Sequence, residues 1–484
     1  MPKTLIIPLD READTPLYRQ IETWLRKAID ADLLAPGTRL PATRALAANL
    51  GLSRTTVDAA YAELISEGLL ETRGSGGTLV ALEGGRRKGT GIPADPSWHP
   101  QGPNSAETLP SLHPEEQPGI IDFSGGGGDD SLFPFPAFLR GLKTRHREAP
   151  SGLLGFPDPA GEWSLRTSIA HICASQGLLL PPEEILITSG SQQVLTLAAN
   201  ALASGGDTVL VEEPTYAKAI TLFRALGLRV VGLPCDAQGP VLEHFQGLVE
   251  AHHPKFAYLI PNFRNPTGSC MGASRRRRLV ALAEGLDLPI LEDDYVGGLR
   301  YDGQSLPTLK TLARPGQVIY TGTFSKMLAP GLCIGFLGAE GPLLERLRTM
   351  KNLTGLSSSR LFQCGLADFV GVGSYRNHIR RSARLFQQRR DLMCATLAQH
   401  LPTARFTRPA GGLFLWVELP NPYDGTTAAA ACAREGVRVA FGEDFFVDPL
   451  PAARQFMRLN FAMSPTESIP AGIERLARAL RQTR

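Results

Sequence analysis

Lys326 stands in the stretch Thr321–Phe336, TGTFSKMLAPGLCIGF, just after the apolar run Val318-Ile319-Tyr320 and a turn of small residues. A lysine carried to the end of a buried strand is partly desolvated. Desolvation favours its neutral amine and makes it a nucleophile toward an aldehyde. A pyridine aldehyde cofactor asks for further groups. A carboxylate must keep the ring nitrogen protonated, and LPILEDDY brings Asp293 to a second strand end. A phosphate needs backbone N–H groups, and ITSGSQQVL opens a helix with Ser189, Gly190, Ser191 and Gln192. A ring-stacking aromatic and a donor to a phenolic oxygen are offered by Tyr216 in EEPTY and Asn265 in NFRNPTG. Singly, each residue has a commoner use as a core tyrosine, a helix-capping aspartate or a surface lysine. Their joint order along one chain is what points to a shared site.

That order needs a scaffold, and the chain from Ile121 onward supplies one. The short apolar runs EILIT, DTVLVE, RVVGLP, FAYLIP, LPILEDD and QVIYTGT are separated by longer amphipathic segments. Strands alternating with helical patterns predict an α/β fold whose parallel or mixed sheet is flanked by crossover helices.

The first eighty residues read differently. PLYRQIETWLRKAIDADLLAPG places Leu17, Ile21, Trp24, Leu25 and Ile29 on one helical face and stops at Pro36-Gly37. TRALAANLG gives a second helix ending at Gly51. A third begins after Ser53, a good N-cap, and buries Val57, Ala60, Tyr61 and Leu64. With LLETRGSGGTLVAL as a small hairpin, these elements spell a winged helix-turn-helix. Ser53, Arg54, Thr55 and Thr56 crowd the first turn of the third helix, Arg44 precedes them, and Arg73 with Gly74 belongs to the wing. These are the expected DNA contacts. Residues 82–120, rich in proline and glycine and without apolar periodicity, read as a linker. The expected domains are therefore 10–81, 82–120 and 121–484.

Composition sets outer limits. At 484 residues, 43% apolar and 20% charged, the chain is of globular type and long enough for two or three domains. A formal charge of only +3 gives no bulk attraction to nucleic acid, so any DNA contact must be local. Seven scattered cysteines without metal-ligand spacing suit reduced thiols, and no window approaches the roughly 18 apolar residues of a membrane span. The expectation is a cytoplasmic protein without a membrane partner. The run Arg275–Arg278 opens a helix after the NPTG turn and reads as a solvated helix face.

The segment RLPATRALAANLGLSRTTVDAAYAELISEGLLETRGSGGTLV closely resembles the DNA-binding domain of GntR-family bacterial regulators. Residues 121–484, with LLGFPDPAGEWSLR, AGGLFLWVELP and FMRLNFA besides the motifs above, resemble the class I/II aminotransferases, fold type I enzymes of pyridoxal phosphate. The joined architecture resembles the MocR subfamily of GntR regulators. That resemblance implies a homodimeric transcriptional regulator that binds a double-stranded operator and senses pyridoxal phosphate, or an amine or amino-acid effector reacting with it. It implies that Lys326 forms the internal aldimine, Asp293 pairs with the pyridine nitrogen, and Tyr295 bonds the phenolic oxygen with Asn265 nearby. Tyr216 would stack on the ring, and Ser189 to Gln192 with Thr323 and Ser325 would hold the phosphate. Arg458 would clamp an effector carboxylate.

Three positions depart from the family pattern. Cys333 stands where an arginine usually holds the phosphate, Phe156 where a tyrosine usually reaches it, and NFRNPTG replaces the subfamily's common SHQxPTG. Arg264 in that loop is a candidate substitute cation. Two alternatives follow: a regulator that has lost or weakened cofactor binding and senses another ligand, or an active aminotransferase.

Overall fold

The computed structural model describes residues 5–73, 77–81, 119–148, 153–371, 373–420, 423, 425–448 and 451–483. The chain divides into two compact units, Met1–Gln101 and Gly102–Arg484. Most of the expected linker, and Gly74 of the wing, lie outside the described residues.

In the first unit, α1 (Leu17–Asp30), α2 (Thr43–Leu50) and α3 (Arg54–Ser66) are followed by the hairpin β1 (Leu70–Thr72) and β2 (Thr78–Val80). Ile21 and Leu25 of α1 are fully buried, while Leu17, Trp24 and Ile29 are half-buried at the edge of the expected face. Glu22, on the same helix, is buried too and is neutralised by Arg26. Ser53 caps α3 by accepting from the Thr56 N–H at 3.2 Å. Val57, Ala60, Tyr61 and Leu64 are buried, as their spacing predicts. The Tyr61 hydroxyl donates to the Pro41 carbonyl at 3.0 Å, tying α3 to the segment before α2.

The second unit begins with β3 (Ile121–Asp122), α4 (Phe135–Glu148) and α5 (Trp163–Ser175). Strands and crossovers then alternate: β4 (Ile185–Thr188), α6 (Ser191–Leu202), β5 (Thr208–Glu213), α7 (Ala217–Ala225), β6 (Arg229–Asp236), β7 (Gly239–Pro240), α8 (Leu242–His252) and β8 (Phe256–Leu259). They continue with α9 (Ala273–Gly285), β9 (Ile290–Asp293), α10 (Leu309–Leu312), β10 (Val318–Thr323) and β11 (Gly335–Gly338). Every strand run read from the sequence forms a strand.

These eight strands make one mixed sheet in the order β4-β11-β10-β9-β8-β5-β6-β7. From β10 through β6 the neighbours are parallel, and β11 runs antiparallel to both β10 and β4. Strands covered on both faces must be apolar throughout rather than alternating, and β8 and β9 are buried along their whole length. Long helices follow as α11 (Gly341–Gly355), α12 (Arg360–Gly371) and α13 (Ser374–His400). A smaller subdomain carries the antiparallel sheet β12-β13-β16-β15, built from β12 (Arg405–Phe406), β13 (Phe414–Glu418), β15 (Ala440–Phe441) and β16 (Phe456–Asn460), while β14 (Val437–Arg438) pairs in parallel with β3. Among the described residues no helix is long and apolar enough to cross a membrane.

Candidate functional site

In a parallel sheet the carboxyl ends of the strands share one edge, where the connecting turns can line a crevice. β9 ends at Asp293, β10 runs to Thr323 just before Lys326, β8 leads into the Asn265 loop, and β5 leads to Tyr216. β4 ends beside α6, whose first turn follows Ser189 and Gly190.

Lys326 is half-buried, and its ammonium is pushed down to about 8. Desolvation is the main cause; Lys218 and Arg458 add repulsion, and Asp293 partly offsets them. Asp293 is only 4% exposed, and burial raises its carboxyl to about 7. The Tyr258 hydroxyl donates to Asp293 Oδ2 at 2.8 Å, whereas Oδ1 is buried with no hydrogen-bond partner among the described residues. An orphaned buried acceptor costs about 1–3 kcal/mol, so it marks a place shaped for a donor from outside the chain.

Arg458, on β16, is buried and has no carboxylate partner among the described residues. One guanidinium nitrogen donates to Asn265 Oδ1 at 3.0 Å, and another reaches the carbonyls of Ser124 and Gly125. The guanidinium lies 4.3 Å from the Phe414 ring centre and 5.0 Å from that of Phe445. Burial lowers it to about 10. A buried guanidinium held by carbonyls and ring faces keeps its charge available to an incoming carboxylate. Tyr216 precedes α7, and burial raises its phenol to about 12, with Asp293 pushing the same way and Arg458 opposing. The Tyr295 hydroxyl donates to the Phe263 carbonyl at 2.7 Å, and its ring stacks on Phe414.

Beyond the end of β4, α6 begins without a side-chain cap, which leaves its first N–H groups available to an anion. A side chain at Gly335 would meet the Gly190 backbone at 2.8 Å, so β11 passes directly over this turn. The Ser189 hydroxyl lies 3.2 Å from that of Ser358; Thr323 Oγ1 bonds the Ile334 carbonyl and accepts from the Ser325 N–H. Among the described residues no arginine or lysine is hydrogen-bonded to any of these side chains. Cys333 is exposed, in a left-handed turn at φ 47°, with its thiol toward the Pro330 carbonyl.

The structure corrects two expectations. Arg264 is no free cation: it is 2% exposed, pairs with buried Glu212 at 3.4 Å, and also bonds Thr267 and the Asp236 carbonyl. Arg276, within the supposedly solvated run, is fully buried. Its guanidinium donates to the carbonyls of Met271, Pro307 and Pro261 and to Asn262 Oδ1. It thereby clamps the turn that carries Asn265.

Sequence reasoning missed Tyr258, because a tyrosine in an apolar strand reads as core, although a buried tyrosine hydroxyl usually finds a partner. It missed Lys218, two residues beyond Tyr216. It also missed the run Gly125–Gly128, whose repetition was the available signal. A side chain at Gly128 would meet the Lys326 carbonyl at 2.9 Å, and Asn460 donates to the carbonyls of Gly125 and Gly127.

On the first unit, Arg44, Ser53, Arg54 and Thr55 are exposed and Thr56 is half-buried. Ser53 Oγ bonds the hydroxyls of Thr55 and Thr56 at 2.8 and 2.7 Å. Arg54 pairs with Asp58 at 3.2 Å and Arg73 with Glu71 at 2.6 Å. Such exposed pairs are worth at most about 1 kcal/mol, so both guanidinium groups can exchange their partner for a phosphate.

Residues 126–476 match the family Aminotransferase class I and II, and residues 17–80 match the bacterial regulatory proteins of the gntR family. The fold is that of the class I/II aminotransferases, a family whose members typically bind pyridoxal phosphate. The crystal structure of LysN, an α-aminoadipate aminotransferase from Thermus thermophilus complexed with N-(5'-phosphopyridoxyl)-L-leucine, superposes with a TM-score of 0.70. It is 32% identical, over 75% of this chain and 93% of that one. The probable rhizopine catabolism regulatory protein MocR of Rhizobium meliloti is 34% identical over 432 residues, covering 85% of this chain and 86% of its own. The chain belongs to the MocR-type GntR regulators, DNA-binding transcription regulators that join a helix-turn-helix domain to an aminotransferase-like domain.

Proposed function

We propose that the aminotransferase-like unit binds pyridoxal phosphate through Lys326 and uses it to sense an amine or amino acid, biasing operator binding by the winged helix. The carrying observation is Asp293 Oδ1, a buried carboxylate oxygen without a donor among the described residues, in a site where desolvation lowers Lys326 to about 8. A protonated pyridine nitrogen is the donor that oxygen lacks, so the residues present fit the cofactor at its ring end. At the other end the uncapped start of α6 would receive the phosphate. Bound there, the cofactor would supply an aldehyde and an electron-withdrawing ring. Tyr216 would cover the ring face, Tyr295 and Asn265 would face its phenolic oxygen, and Arg458 would take the effector's carboxylate. Exposed Leu154 and Phe156, 87% and 84% accessible, support association with a second copy of the chain.

The test is the visible spectrum on adding pyridoxal phosphate. The wild-type protein is expected to develop lysine-imine absorbance and Lys326→Ala none; equal colour in both sinks the assignment. Because Lys326 ionises near 8, colour should develop faster as pH rises and level off above about 8. A second reading, weak cofactor retention, is favoured by exposed Cys333 and by the phosphate end having no arginine or lysine bonded to it among the described residues. Cys333→Arg is then expected to tighten cofactor binding roughly tenfold or more, the yield of one charge-assisted hydrogen bond.

For DNA, Arg54→Ala is expected to weaken operator affinity while leaving the spectrum untouched. Gel-shift titration showing wild-type affinity would remove α3 as the reading helix.

A further inference from the structure

Helix α13, 27 residues long, carries an arginine stripe that the cofactor site does not use. Arg376, Arg380 and Arg384 recur every fourth residue with Arg381 beside them, and all four are exposed. None has an ion-pair or hydrogen-bond partner among the described residues. Further along the same helix, Arg389 and Arg390 are buried and paired, with Asp129 at 2.8 Å and Asp302 at 2.6 Å. The helix thus pairs the arginines it packs and leaves the outer four unpaired.

Ser374 to Arg390 contains no aspartate or glutamate. Like charges four residues apart on a helix repel by a few tenths of a kcal/mol each, and nothing on this face offsets them. Among the unit's other arginines, Arg314 pairs with Asp287, Arg348 with Glu345, and Arg478 with Glu435 and Glu474, while exposed Arg140, Arg147, Arg229 and Arg346 likewise have no partner among the described residues. In the denser run after the NPTG turn, Arg275 is paired with Asp236 and Arg276 is buried. The stripe is the stronger polyanion surface of the two.

Just over two helical turns carry the stripe over about 12 Å, a row that winds slowly round the helix and can follow a line of regularly spaced phosphates. Guanidinium groups bind phosphate bidentately and stay charged at every physiological pH. We propose that Arg376, Arg380, Arg381 and Arg384 form a second, sequence-independent contact to the DNA backbone. It would lie on the aminotransferase-like unit and engage duplex flanking the sequence read by the winged helix. The inference rests on the DNA-binding reading of the chain.

The test uses the full-length protein and a duplex selected by it from a random-sequence pool. The duplex is prepared at about two helical turns, to hold the paired half-sites, and at about six turns, to include flanks. The variant is Arg380→Gln/Arg381→Gln/Arg384→Gln. On the long duplex its affinity should fall at least tenfold at low salt. The slope of log affinity against log salt should flatten by about 0.9 for each phosphate no longer neutralised, up to nearly three in all. Affinity for the short duplex and the cofactor spectrum should stay at wild-type values, the latter showing that the unit is folded. An unchanged slope on the long duplex, or an equal loss at both lengths, overturns the proposal. Arg54→Ala, run in parallel, should weaken both lengths. If it weakens neither, the winged-helix reading fails, and that failure is distinct from failure of the stripe.

Discussion

Replacing Asp293 with asparagine is expected to stabilise the cofactor-free protein at alkaline pH while weakening pyridoxal phosphate binding roughly ten- to a hundredfold. The two effects share one cause. Burial raises the Asp293 carboxyl from its ordinary 3.8 to about 7. Between those values the folded state holds a proton that the unfolded state has released. Stability from this group is therefore complete below about 4 and declines as pH rises through about 7. Above that, a carboxylate with a single hydroxyl donor sits ionised in the interior, at a cost of up to about 4 kcal/mol. Asparagine has no charge to bury, and its amide oxygen can still accept from Tyr258. Thermal melts of the two cofactor-free proteins should differ little near pH 4, with the variant clearly ahead at pH 8. A shift of equal size at both pH values would show that ionisation of Asp293 is not the cause. The same neutral amide cannot hold a pyridine nitrogen protonated. The lost charge-assisted bond, about 1.5–3 kcal/mol, sets the expected loss of affinity, measured by absorbance titration.

Arg276→Ala is expected to lower stability by about 3–5 kcal/mol, the cost typical of removing one side of a fully buried charged network. The guanidinium satisfies three backbone carbonyls and Asn262 Oδ1 at 2.7–2.9 Å, and no water can replace it without opening the turn. Arg276→Lys should recover only part, since one ammonium cannot span four acceptors in a fixed fork. The urea midpoint of the aminotransferase-like unit measures both. Arg277→Ala, at an exposed neighbouring position, is the control and should move it by no more than about 0.5 kcal/mol. If Arg276→Ala is as mild as that control, the clamp is not what holds the Asn265 turn.

The scaffold was readable because buried parallel strands must be apolar along their whole length. EILIT, DTVLVE and QVIYTGT announce themselves without knowledge of their partners. Lys326, Asp293, Tyr216 and Asn265 were readable because each ends such a run. What stayed hidden depends on direction and distance rather than residue type. Four successive arginines on a helix point about 100° apart, so one of the run at 275–278 had to face inward, but only packing decides that it is Arg276. Arg264 looked free because its partner, Glu212, lies in β5, 52 residues away. Tyr258 shares its strand with apolar residues and differs from them only by the hydroxyl that meets Asp293. The arginine stripe on α13 was overlooked because its charges are spaced along the chain and become a row only on the helix.

The hydrogen bonds from Arg458 and Asn460 to the glycine-rich turn span 333 to 335 residues of chain. Closing a loop of that length is among the last events available to a folding chain, and during synthesis it waits for the final strand to emerge. The first unit, by contrast, is held by contacts among near neighbours in the sequence. A nascent chain can therefore acquire a folded helix-turn-helix unit well before the aminotransferase-like unit is complete. For that interval such a molecule would be a regulator without an input.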